Sequence, residues 1–134
     1  MSDFNKEIIK EFRANHGKVG GIFENMNLLL VHTRGAKTGN LRINPVATLQ
    51  VEEHHIIAAS KAGADSHPDW FHNLVADPEV IVELGEEKFT ALAEVANEPE
   101  RTVLYSNLKE QYPGFAEYEK KTSRVIPVIK LKRN

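Results

Sequence analysis

No cysteine occurs among the 134 residues. That absence excludes disulfides, Cys-ligated zinc, iron–sulfur clusters and a thiol nucleophile, and it fits a cytoplasmic protein. Long apolar runs are missing as well. None exceeds five residues, against the ~20 that a membrane-spanning helix needs. The opening residues, Met1-Ser2-Asp3-Phe4-Asn5-Lys6-Glu7, lack the basic-then-apolar order of a secretory leader. There is no excess of positive charge. The formal net charge is −2, which argues against nucleic acid as a general partner. No G-x-G-x-x-G is present. Gly35-Ala36-Lys37-Thr38-Gly39 resembles a P-loop only superficially, because the Gly–Lys pair and the earlier glycine are both missing. His67 and His72 have no acidic partner at ligand spacing, and His54-His55 is an isolated pair, so no metal site is expected. Ser60 has no His/Asp set around it and does not read as a hydrolase nucleophile.

One absence is local. From Asn25 to Val51 there is no Asp or Glu, yet the stretch carries Arg34, Lys37 and Arg42. The apolar run Leu28–Val31, a turn with Gly35 and Gly39, and a second run from Leu41 read as a β-hairpin. Cations gathered on one turn without acids repel each other, so the tip points to an anionic partner. Exposed glycines let a backbone approach such a partner, and free N–H groups in the turn can cradle it. The plainer alternative is a solvated tip with ordinary surface cations.

At this length the chain, 1–134, is expected to form one domain with a core of its own. Residues 3–15 read as a helix with Asp3 as cap and Phe4, Ile8, Ile9 and Phe12 on one face. Its pattern suits packing or a lid, with peripheral membrane contact as the weaker reading. Gly17, Gly20 and Gly21 interrupt that pattern as a candidate hinge. The hairpin's second arm runs to Gln50 with Pro45 as an irregularity, and a buried strand follows from His55 to Ser60. Pro68 suits the first position of a short helix capped by Ser66 or His67. Trp70 in its first turn reads either as core or as a ligand platform. A second hairpin turns at Gly85. A helix follows with Pro99 in its first turn and Val103, Leu104 and Leu108 inward; another covers Phe115–Lys121; a last strand spans Arg124–Leu131. Strands arriving as hairpins with only short helices between them indicate a mostly β fold, a small barrel of about six mainly antiparallel strands.

Three separated segments carry a resemblance. They are Arg34-Gly-Ala-Lys-Thr-Gly with Arg42-x-Asn44-Pro45, then Ala59-Ser60-Lys61-x-Gly63 with His67-Pro68-Asp69-Trp70-x-His72-Asn73-Leu74, and then Phe115-Ala-Glu-Tyr118-x-x-Lys121-Thr-Ser-Arg124-x-Ile126-Pro127-Val128. In this order, over about residues 22–133, the chain resembles the deazaflavin-dependent nitroreductases of actinobacteria. The resemblance implies a split β-barrel of the flavin-reductase type that binds coenzyme F420, a deazaflavin with a phosphate and an oligoglutamate tail. It implies hydride transfer from the reduced cofactor to quinones, enones such as aflatoxins and coumarins, or nitroaromatics. By motif, Lys37, Thr38 and Arg42 would hold the phosphate and tail, with Gly35 and Ala36 of the same turn also cofactor-binding. Asn44, Pro45 and Val46 would line one side of the ring; Ala59, Ser60, Lys61 and Gly63 would form the other wall; Trp70 and Asn73 would close the site. Trp70, Tyr112, Phe115 and Tyr118 would lie on the acceptor side, with Ser60 or Tyr118 as hydrogen-bond or proton donor. Nitroimidazole-activating members carry tyrosines where this chain has Ala47 and Phe115, which implies a more apolar acceptor pocket and puts quinone or enone reduction at least level with nitro reduction. Competing readings are a non-catalytic carrier of the same cofactor and an FMN-binding split-barrel oxidoreductase. The chain is expected to act as a monomer or homodimer.

Overall fold

Thr48 is a single residue between two strands that lie at opposite ends of one sheet. The computed structural model describes residues 3–134, with the side chains of Asp3, Phe4 and Ile22 outside the description. The capping role of Asp3 and the facing of Phe4 therefore lie outside the described side chains. The strands are β1 (Leu28–Arg34), β2 (Leu41–Ala47), β3 (Leu49–Val51), β4 (His54–Ala58), β5 (Glu79–Leu84), β6 (Glu87–Val95) and β7 (Val128–Arg133). They form one sheet in the order β2-β1-β5-β6-β7-β4-β3, every pair antiparallel. Since β2 and β3 are consecutive in the chain, the sheet must curl until its two ends meet at Thr48. The corner is bonded from both sides. Thr48 N donates to Asn27 O (2.8 Å) beside β1, and Thr48 Oγ1 donates to Ile56 O (3.0 Å) on β4. The result is the antiparallel barrel expected from the hairpins, of the split kind that the resemblance implied, with seven strands instead of six because Thr48 breaks the second arm in two.

Four helices cover the barrel: α1 (Asp3–Ala14), α2 (Asp69–Ala76), α3 (Glu100–Gln111) and α4 (Gly114–Lys120). Ile8, Ile9 and Phe12 of α1 are buried with Val19, Leu28 and Leu30. Fully burying each such side chain contributes about 1.5–3 kcal/mol, enough to hold a short helix that would be marginal alone. On the α2 side, Leu29, Val31, Ile57, Ala59, Trp70, Leu74 and Val82 make the barrel core. The α3 and α4 side is filled by Tyr105, Leu108, Tyr112 and Phe115 against Ile56 and Val128.

Several expectations are corrected. Val103 faces outward, 59% exposed, and Tyr105 takes the inner position at 1%. Pro68 and Pro99 sit one residue before their helices; no side-chain cap is present at α2, while at α3 Glu98 Oε1 accepts from Thr102 N (3.0 Å) in the first turn. The last strand begins at Val128: Pro127 has no N–H to give a ladder, and Arg124 is engaged elsewhere. The 17–21 glycine segment is tied down. Gly17 N donates to Phe12 O (2.8 Å) and Gly20 N to Glu11 Oε2 (2.6 Å). Gly17 also has φ 93°, and a Cβ there would lie 2.7 Å from Gly85 Cα, so glycine is required for two backbones to touch.

Candidate active site

The cationic turn is held by its own backbone and by α2. Gly35 N donates to Asn40 O (2.7 Å), Gly39 N to Gly35 O (2.8 Å) and Asn40 N to Thr38 Oγ1 (3.2 Å). Gly39, at φ 73°, supplies the left-handed step. Asn73, 6% exposed, reaches across from α2. Its Nδ2 donates to Thr33 Oγ1 (3.1 Å) and its Oδ1 accepts from Ala36 N (3.0 Å). Asn73 thus fixes the tip against β1 and α2. Ala36 shapes the turn, its amide already taken.

Arg34, Lys37 and Arg42 are exposed, and among the described residues none has an acidic partner. Several cations elsewhere are paired: Arg13 with Glu83 (2.7 Å), Lys130 with Glu94 and Glu100 (2.9 Å each), Arg133 with Glu87 (2.7 Å). Lys130 and Lys132 hold the Glu94 carboxyl down to about 2. What sets the tip apart is three such cations within one hairpin, with no Asp or Glu from Asn25 to Val51.

From the tip, β2 leads inward. Its pairing with β1 sets Arg42 opposite Thr33, Asn44 opposite Val31 and Val46 opposite Leu29. These alternate residues share one face of the strand, and Val46 packs on the cluster that contains Ala59 and Trp70. The charged, polar and apolar members of the expected set therefore form one line. Trp70 itself is 7% exposed and belongs mainly to that core.

The residues expected to form the opposite wall lie in the loop after β4. Ala59 is fully buried, Ser60 half-buried and Gly63 buried. A 3-10 turn, Lys61–Gly63, follows, and Lys61, Ala62 and Gly63 all have positive φ (47°, 54° and 85°). Arg124 braces this loop through Ala59 O (3.1 Å), Ser60 O (2.8 Å) and Ala64 O (2.8 Å). Its Nη1 also meets His67 Nδ1 at 2.9 Å. Arginine can only donate, so that nitrogen accepts. Burial first, then Arg124 and His72, lower the His67 pKa, consistent with a neutral ring.

Helix α4 lies against the loop: a Cβ on Gly63 would come within 2.9 Å of Tyr118 O and of Lys121 Cβ. Tyr118 is half-buried, its ring edge-on to Phe115 at 5.5 Å. Tyr112 and Phe115 are interior. The Tyr112 hydroxyl accepts from Asn27 N (3.1 Å) and donates to Thr48 O (2.9 Å), and Phe115 O accepts from Tyr105 (2.7 Å). Of the aromatics assigned to the acceptor side, Tyr118 is the most accessible. Arg124 is the contributor that residue-by-residue reading missed. It lies in a resembling motif, but its partners are backbone carbonyls about sixty positions away, and such partners leave no mark in sequence.

The family model for the F420H2-dependent quinone reductase matches residues 5–133. The chain belongs to this family. An F420H2-dependent quinone reductase of Mycobacterium tuberculosis is 32% identical over 126 residues, covering 91% of this chain and 85% of that protein. Among solved structures, an F420-H2 dependent reductase (FDR-A) has a TM-score of 0.72 at 34% identity, covering 78% of this chain and 93% of its own. A structure described as a domain-swapped dimer has a TM-score of 0.74 at 30% identity, covering 95% of this chain and 96% of its own. A Listeria innocua structure titled a putative pyridoxamine 5'-phosphate oxidase, 10% identical with a TM-score of 0.56 over 98% of this chain and 94% of its own, shares the fold alone. As a member of the F420H2-dependent quinone reductase family, the protein is an oxidoreductase with reduced F420 as its cofactor. The residues fit that group: unpaired cations meet a polyanionic tail, and one face of β2 leads from them to an apolar wall. No helix among the described residues is long and apolar enough to cross a membrane.

Proposed function

We propose that this family member reduces quinones and related apolar enones, with nitroaromatics as poorer acceptors. The observation that carries the reading is the unpaired Arg34, Lys37 and Arg42 tip joined by β2 to the wall of Ala59, Ser60 and Trp70. When bound, the reduced deazaflavin supplies the hydride. Everything else falls to the chain. Lys37, Thr38 and Arg42, on a turn shaped by Gly35 and Ala36, hold phosphate and tail. Asn44, Pro45 and Val46 take one side of the ring and Ala59, Ser60, Lys61 and Gly63 the other, with Trp70 and Asn73 behind them. Negative charge appears on the acceptor as hydride arrives, and Ser60 Oγ or the Tyr118 hydroxyl donates a hydrogen bond or proton there. Ala47 and Phe115 keep the acceptor side apolar, which supports quinones and unsaturated lactones over nitroimidazoles.

Fluorescence titration tests the assignment, comparing F420, its analogue without phosphate and glutamates, FMN and haem. F420 is expected to bind tightest. Arg42→Ala should weaken it about tenfold, less at high salt, because the contact is charge-assisted and screened. Equal affinity for the tail-less analogue would remove the hairpin from the site. Tight F420 binding without turnover of any quinone or enone would favour a carrier instead.

A further inference from the structure

We infer that Arg124 is a positioning residue, which locks the Ser60–Gly63 wall and the Tyr118 helix to one another; the inference rests on the cofactor site proposed above. The starting point is the backbone. Lys61, Ala62 and Gly63 are consecutive residues in the left-handed region, and the first two are not glycine. A side chain makes that conformation unfavourable, so it persists only where the surroundings over-determine it.

Beside two turn bonds of its own, Gly63 N to Ser60 O and Ala64 N to Lys61 O, the trio is held at both ends by one guanidinium. Nη1 and Nη2 of Arg124 donate to the carbonyls just before the trio, at Ala59 and Ser60, and Nε donates to the carbonyl just after it, at Ala64. The planar fork suits three acceptors set around one point, and a lysine ammonium has no equivalent geometry. Nη1 also ties in His67, just ahead of α2. From the other side α4 presses on Gly63 at Tyr118 O and Lys121 Cβ. Arg124 follows shortly after α4, and its N–H donates to Thr122 Oγ1 (3.2 Å), which fixes the return of the chain. One short segment therefore grips the wall by its carbonyls and backs it with a helix. The spacing between Ser60 and Tyr118, the two donors available to the acceptor, is set through this side chain, which lends the reaction no proton of its own.

The test uses the full chain with Arg124→Lys, which keeps the charge and loses the fork, and Arg124→Gln. Amide exchange in the cofactor-free protein should rise about tenfold or more across residues 59–64, with β1 and β5 unchanged. F420 affinity should fall about tenfold, and kcat for a quinone by ~10–100-fold. Tyr118→Phe should matter less in the Arg124→Lys background than alone, a non-additivity expected of coupled groups. Millimolar guanidinium should restore part of the lost affinity in Arg124→Gln. Unchanged exchange at 59–64, a uniform rise across the barrel, or strict additivity with Tyr118→Phe would overturn the inference. If the unmutated protein fails to bind F420, the proposed function falls, while the exchange comparison still decides whether Arg124 holds the loop. If Arg124→Gln does not fold, Arg124→Lys decides alone.

Discussion

The hydroxyl of Tyr118 makes no hydrogen bond among the described residues, whereas that of Tyr112 bridges Asn27 and Thr48 in the interior. Removing the Tyr118 oxygen should therefore read out chemistry with little effect on folding. Tyr118→Phe is expected to lower kcat/KM for a quinone by about 10–100-fold if the hydroxyl stabilises developing charge. Tm and F420 affinity should stay near those of the unmutated protein. Unchanged turnover returns Tyr118 to packing and leaves Ser60 or solvent as donor. At this scale the sequence was most legible where charge was concerned: Lys37 and Arg42 stand out because no acid surrounds them. It was least legible for Asn73 and Arg124. Their partners, Thr33, Ala36 and the 59–64 carbonyls, are brought near only by the closed sheet.

Helix α1 could be read from spacing, since Ile8, Ile9 and Phe12 recur with helical period. Its anchor could not. Arg13 forms a fork with Glu83 (3.1 and 2.7 Å), and His32 Nε2 meets the same carboxylate at 2.6 Å. Hydrogen bonding from Arg13 is the first cause that lowers the Glu83 pKa, opposed by burial and helped by His32. The folded protein thus holds this proton less tightly than the unfolded chain. The stability Glu83 lends is complete above the ordinary carboxylate range and is lost as pH falls through the lowered folded value. With Arg13 half-exposed, the pair contributes roughly 1 kcal/mol. Acid should release α1 before the barrel unfolds, seen as faster amide exchange over residues 5–14 with β5 still protected. Glu83→Gln should show the same loosening at neutral pH and little further change with acid. If α1 and β5 lose protection together, the helix is not a separate unit.

For the molecule as a whole, the hairpins and short helices were enough to indicate an antiparallel barrel. The way it closes was hidden, because Thr48 fits the alternation of a continuous strand while the structure buries it at 2% exposure. Closure depends on a few polar groups, and Tyr112 serves both sides of the seam. Tyr112→Phe keeps the ring and leaves Asn27 N and Thr48 O without that partner. Asn27 is exposed and can turn to water, but leaving the buried Thr48 carbonyl unpaired costs about 1–3 kcal/mol. The urea midpoint should fall with the slope unchanged, and F420 affinity should change little. Affinity that falls in step with stability would place Tyr112 in the site after all.

β7 lies between β6 and β4 and pairs with both, which has a consequence for the order of assembly. The β1–β2, β5–β6 and β3–β4 hairpins are local and can form early. Only residues 128–133 can zip the two groups of strands together, and β4 must wait for them while α2, β5, β6, α3 and α4 intervene in the chain. Contacts of such separation are slow to form. Until then β6 and β4 each offer a bare edge to any passing strand, so the step that completes the barrel is also the one at which a nascent chain is most exposed to aggregation.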